Sequence, residues 1–121
     1  MSFTDAVKNA MLELLDESSG SQPITHISLH TADPGTSGTS EVTGGSYARQ
    51  AVTWGAASGG VKSNTGSLAF SVPAGTTVTH VGGWSASSGG TWRGGGTLSA
   101  SQAFATSGTY TIAAGDLDAT I

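Results

Sequence analysis

Leu68-Ala-Phe-Ser-Val-Pro-Ala-Gly-Thr-Thr-Val-Thr-His-Val-Gly-Gly-Trp84 decides the fold. Leu68, Phe70 and Val72 alternate with small residues, the period of two that puts one strand face into a core. Pro73-Ala74-Gly75 stops that strand, because proline presets φ and glycine accepts a positive φ. Thr76 to Trp84 then alternates again. Val78, His80, Gly82 and Trp84 share one face; Thr79, Val81 and Gly83 share the other. A chain built from such runs is an all-β protein with many tight turns.

The same pattern extends outward. Upstream, Ile24–Thr31 sets Ile27, Leu29 and Thr31 against His26, Ser28 and His30. Asp33-Pro34-Gly35 is a turn, Thr36–Gly45 reads as a polar surface loop, and Tyr47–Trp54 reads as the next strand. Gly55–Gly60 is a small-residue turn. Downstream, Gly89-Gly90 turns the chain into a short strand, Thr91–Arg93, which runs into Gly94-Gly95-Gly96. Those glycines mark a bulge or a close backbone approach. Thr97–Leu98, Gln102–Phe104, Thr109–Ile112 and Leu117–Ile121 complete the set. About seven or eight short strands separated by turns predict a mainly β protein, an antiparallel β-sandwich or barrel-like domain.

Ahead of it stands one helix, from Thr4 to about Asp16. Val7, Ala10, Met11, Leu14 and Leu15 share its apolar face. The organisation is thus a helix and linker over 1–20 and a single β-sandwich domain over 21–121. A thin apolar stripe fits a helix packed on its own β-domain and also one docked on a neighbouring subunit.

Composition narrows function. The 121 residues carry eight acids and four bases, a net charge of −4. Lys8, Arg49, Lys62 and Arg93 are scattered, whereas nucleic-acid binding needs clustered cations to displace counterions. The absence of cysteine removes disulfides, thiolate chemistry and Cys-ligated zinc. The apolar runs are too short to span a bilayer, and Met1–Leu15 lacks the plan of a signal peptide. Synthesis in the cytoplasm is the expectation.

Catalysis finds few footholds. His26 and His30 lie four apart on a strand, roughly 13 Å from each other, too far to share one ion. His30 and Asp33 could meet across the turn, but a histidine bonded to loop backbone is the plainer reading, and His80 reads as packed by its neighbours. No Gly-x-Ser-x-Gly elbow, phosphate loop or dense calcium-ligand pattern occurs. The expectation is a non-enzyme with no cofactor and no metal. Trp54, Trp84 and Trp92 serve the core, a subunit interface or a sugar platform. With Tyr47, Met11 and Leu14 they form the set of interface candidates.

Four segments carry a family resemblance: Ile27-Ser-Leu-His-Thr-Ala-Asp-Pro-Gly35, Gly44-Gly-Ser-Tyr-Ala-Arg-Gln-Ala-Val-Thr-Trp-Gly55, Val72-Pro-Ala-Gly-Thr-Thr-Val-Thr-His80 and Gly94-Gly-Gly-Thr-Leu-Ser99. From residue 24 onward the chain resembles small virion proteins of tailed phages that infect actinobacteria, often labelled tail fibre proteins. Similar small β-domains decorate heads or serve as minor capsid proteins. The resemblance implies a virion structural protein without catalytic residues. Its partners would be the major capsid protein or tail proteins, and it would form a homo-oligomer such as a trimer. A compact chain with no repeat for a shaft favours head decoration over a tail fibre or tail-tip module that binds a host receptor or glycan.

Overall fold

The computed structural model describes residues 4–15 and 22–120. Helix α1 (Asp5–Leu12) continues as a 3-10 turn, Glu13–Leu15. Eight strands follow: β1 (His26–His30), β2 (Gln50–Ala51), β3 (Val61–Ser63), β4 (Leu68–Val72), β5 (Thr76–Trp84), β6 (Trp92–Phe104), β7 (Gly108–Ile112) and β8 (Asp118–Thr120). They make one four-stranded sheet in the order β2-β1-β5-β6 and two strand pairs, β3-β8 and β4-β7. All pairings are antiparallel. The protein is mainly β with a short N-terminal helix, and its sheets do not close into a barrel.

The alternation read from the sequence sets the core. Leu68, Phe70 and Val72 are buried while Ala69 and Ser71 are exposed. They pack with Ile27, Leu29, Val42, Val52, Val78 and Ile112 in one cluster. Removing such side chains from water is the main term that stabilises a small domain, at about 25 cal/mol per Å² of apolar surface.

β1 departs from a half-buried strand. Ile27, Ser28, Leu29 and His30 are all buried. Ile27 and Leu29 enter the apolar cluster, and Ser28 and His30 are covered from the opposite face. In register, His26 faces Trp84 and His30 faces His80 on β5.

Two expectations need correction, and one strand was not foreseen. Tyr47–Trp54 holds only the two-residue β2 and an isolated bridge from Trp54 to Asn64. The three short segments from Thr91 to Phe104 are one 13-residue strand, β6, with shifts of register against β5. One shift falls at the glycines: Gly83 faces Gly94 but Trp84 faces Trp92, so Arg93 bulges out. The strand β3 has no apolar alternation, and the sequence shows no sign of it. It is assembled by polar groups.

Asn64 is the plainest of these groups. It is buried, its Nδ2 donates to the carbonyls of Gly66 and Ala113, and its Oδ1 accepts from the amides of Gly115 and Leu117. It therefore ties the end of β3 to the turn before β8. Lys62, on β3 itself, is fully buried and donates from Nζ to the Gly55 carbonyl at 2.8 Å and to Glu13 Oε1 at 3.0 Å. Glu13 also accepts from the Ala57 amide, and Asn9 Oδ1 accepts from the Gly60 amide. The helix thus docks on its own β-domain, through polar contacts as much as through the buried Leu12. Val7 and Met11 of its apolar face stay exposed, at 44% and 38%.

Asn64→Ala removes four hydrogen bonds in a buried setting, each worth about 1 kcal/mol net. The expected loss is about 3 kcal/mol, read as a lower urea midpoint at unchanged slope. Asn64→Gln, which keeps the amide but lengthens the reach, should recover little of it.

Candidate functional site

The polar residues that could carry chemistry gather on the outer face of β1. The ring of His30 lies between two partners: Nδ1 is 2.8 Å from the Thr39 carbonyl and Nε2 is 2.7 Å from Ser28 Oγ. A carbonyl only accepts, so Nδ1 carries the proton and Nε2 accepts from the Ser28 hydroxyl. Ser28 Oγ in turn accepts from Trp84 Nε1 at 2.9 Å. The result is one directed chain, from Trp84 through Ser28 and His30 to the backbone of the loop.

A serine hydrogen-bonded to a histidine is the start of a catalytic dyad. Here both residues are fully buried, and Trp92 packs edge-on against His30 with ring centres 5.4 Å apart. No substrate carbonyl can approach Ser28, so the pair ties strands to loop.

Arg49 covers the cluster. Its guanidinium carbon sits 3.8 Å from the centre of the Trp84 ring. Nε and Nη2 grip the Glu41 carboxylate, and Nη1 donates to the carbonyls of Ala86 and Gly89. Tyr47 donates to Glu41 Oε2 at 2.9 Å, accepts from the Leu29 amide at 3.0 Å, and lies parallel to Phe70. Each polar group meets a partner of opposite role, as a buried network requires.

Thr36–Gly45 is a largely exposed surface loop, as read from the sequence, but these contacts pin it to the sheet. Val42 is buried in the core, and Glu41 bridges to His30. The Thr31 amide donates to Ser40, and the Val42 amide donates to Leu29. Gly38, at φ +77°, presses its backbone onto Trp84 and Trp92, where a Cβ would lie 2.5 Å from the Trp84 ring. On the opposite side Gly82 leaves room for Trp92 and for His30 Nε2 in the same way. The indoles pack edge to face at 5.2 Å.

The candidate residues therefore divide. Trp84, Trp92 and Tyr47 belong to this network. Trp54 lies elsewhere; its Nε1 donates to the Ile24 carbonyl, and with Met11 it lines an open groove of about 1010 Å³. The side chain of Leu14 lies outside the described residues. The His26 ring bonds its neighbour Thr25, and Asp33 accepts from the Gly35 amide instead of meeting His30. His80 bonds Thr79 Oγ1. Among the described residues no group of three or more His, Asp or Glu side chains could hold a metal, and no helix is long and apolar enough to cross a membrane.

A sequence profile described as the podophage GP4 fiber I protein gp80 matches residues 2–120. The chain belongs to this family. It is accordingly a phage virion structural protein. The family description names neither an actinobacterial host nor head decoration. No curated protein matches the chain.

The environment of the polar cluster shifts its protonation equilibria. Burial lowers the pKa of His30 from its ordinary 6.5, against the opposing pull of the Thr39 carbonyl and Glu41. Burial alone would raise Glu41, but the hydrogen bonds from Arg49 and Tyr47 together outweigh it and hold the carboxyl below 4.5. Burial, with Glu41 beside it, raises the Tyr47 phenol. The signs agree for the first two: a depressed folded pKa gives stability that is present at higher pH and lost on acidification. The melting temperature should therefore fall as pH drops below 6.5, through His30, and again below 4.5, through Glu41. A His30→Gln variant should lose the first step in a calorimetric pH series.

Packing gives a second test. Gly82→Ala drives a methyl into Trp92 and the His30 ring. A loss of about 1–3 kcal/mol is expected, the usual range for overpacking, with a change in tryptophan fluorescence.

Proposed function

We propose that the protein is a non-enzymatic building block of a podophage fibre, a compact module whose polar groups serve rigidity. The observation that carries this reading is the chain-long match to a fibre I family. The site geometry supports it: Ser28, His30, Glu41 and Arg49, the groups that could act chemically, are engaged with one another or with backbone. Rigidity is what a load-bearing appendage asks of a small domain. Compactness suits head decoration and a short fibre segment equally; the family description supports the fibre. Binding to assembled neighbours would stabilise the particle by mass action.

Cryo-electron microscopy of the virion tests the position. Density for this fold in an appendage of the tail is expected. Density on the capsid shell, in many copies, would return the protein to head decoration. Purified protein incubated with host cell wall, or with ester and glycoside substrates, should show no turnover.

A further inference from the structure

We infer that the chain binds one divalent transition-metal ion, zinc or a chemical neighbour such as nickel, between Asp33 and His80. The two residues belong to different elements. Asp33 sits in the turn that follows β1, and His80 lies in the middle of β5. The fold lays that turn beside the β5–β6 pair, where His80 faces Thr97 in register. Asp33, His80 and Thr97 thereby line one cavity of about 220 Å³, together with Gly95 and Gly96.

Both side chains are held at one atom and open at another. The Gly35 amide donates to Asp33 Oδ1 at 2.9 Å, and the buried Pro34 between them fixes the turn. Among the described residues no group takes the other carboxylate oxygen. On His80, Nδ1 lies 2.7 Å from Thr79 Oγ1, which orients the ring and leaves Nε2 without a partner among the described residues. The Thr79 hydroxyl can turn its own proton to the His30 carbonyl, 3.5 Å away. Nδ1 is then the donor, and Nε2 keeps its lone pair. An imidazole oriented through one nitrogen and open at the other is the form in which histidine ligates metals.

Ligand chemistry selects the ion. An imidazole with a carboxylate suits zinc and nickel, whereas calcium and magnesium take oxygen ligands. No lysine or arginine lines the cavity to repel a cation. At about 30 Å³ per water, the cavity has room for the ion and for the waters that complete its coordination. This is an open site of two side chains and solvent, and it holds its ion less tightly than the closed four-ligand sites of structural zinc. When filled, it fastens the turn that leads into Thr36–Gly45 to β5. The pair is invisible in the sequence because the turn and the strand meet only in the folded chain.

Metal binding is independent of where the protein sits on a virion, so its failure would leave the fibre reading in place. Calorimetric titration of the untagged full chain with zinc chloride should show one site per chain, with Kd below about 1 mM. At ten times Kd the melting temperature should rise by about 5 °C. Magnesium chloride at the same concentration should give no such rise. His80→Ala should weaken zinc binding at least about tenfold. Asp33→Asn keeps an acceptor for the Gly35 amide, and so the turn; it should weaken binding by a similar factor with unchanged circular dichroism. His26→Ala, outside the cavity, should bind as the wild type does. No zinc binding up to about 1 mM overturns the inference. So does an equal response to magnesium, a folded His80→Ala or Asp33→Asn variant that binds zinc undiminished, or loss of binding in His26→Ala.

Discussion

β1 is covered on both faces, and the two faces have opposite chemistry. That constraint organises the rest of the molecule. The inner face needs only apolar volume, and Ile27 and Leu29 meet it in the common cluster. The outer face carries a serine and a histidine with no water to hydrate them. A buried polar group without a partner costs on the order of 1–3 kcal/mol, so everything laid over this face must supply a matching donor or acceptor. Trp84 supplies the donor, Thr39 the acceptor, and Arg49 holds both elements in place through Glu41 and the turn at 86–89. The glycines at 38 and 82 follow from the same demand, since two indoles can sit that close only against bare backbone.

Much of this was legible in the sequence. Period-two alternation placed β1, β4, β5 and β7 almost residue for residue, because an apolar cluster drives them. Pro73-Ala74-Gly75 and Asp33-Pro34-Gly35 placed turns by local conformational preference, which needs no tertiary context. Gly94-Gly95-Gly96 was readable as a bulge or close approach, and both occur there. What stayed hidden depends on partners distant in the chain. Lys62 looks like a solvent lysine until Glu13, 49 positions earlier, is folded over it. Glu41 looks like a loop residue until Arg49 and Tyr47 close on it. A one-dimensional pattern reports how often apolar residues recur; it does not report which polar atoms will be paired.

The candidate site shows the same limit from the other side. Serine, histidine, arginine and glutamate within a few ångströms would suggest chemistry if seen as a set of residue types. Burial points the other way, because a nucleophile needs an approach path. Here Ser28 and His30 are fully buried, with Trp84 bonded to Ser28 and Trp92 packed on His30. Membership of a fibre I family agrees with a cluster that holds shape.

The way the cations are used has a consequence for the surface of the domain. Arg49, Lys62 and Arg93, three of the four basic residues, are engaged with Glu41, Glu13 and Gln22. Two of those cations are spent on carboxylates, so the solvent meets acids such as Asp5, Asp33 and Asp116 with little positive charge beside Lys8 and Arg93. Such a surface is repelled by polyanionic envelopes and by other particles like itself, over a range set by salt, about 8 Å at physiological strength. Adhesion at this domain has to come from close shape and hydrogen-bond fit, and raising the salt concentration eases the approach.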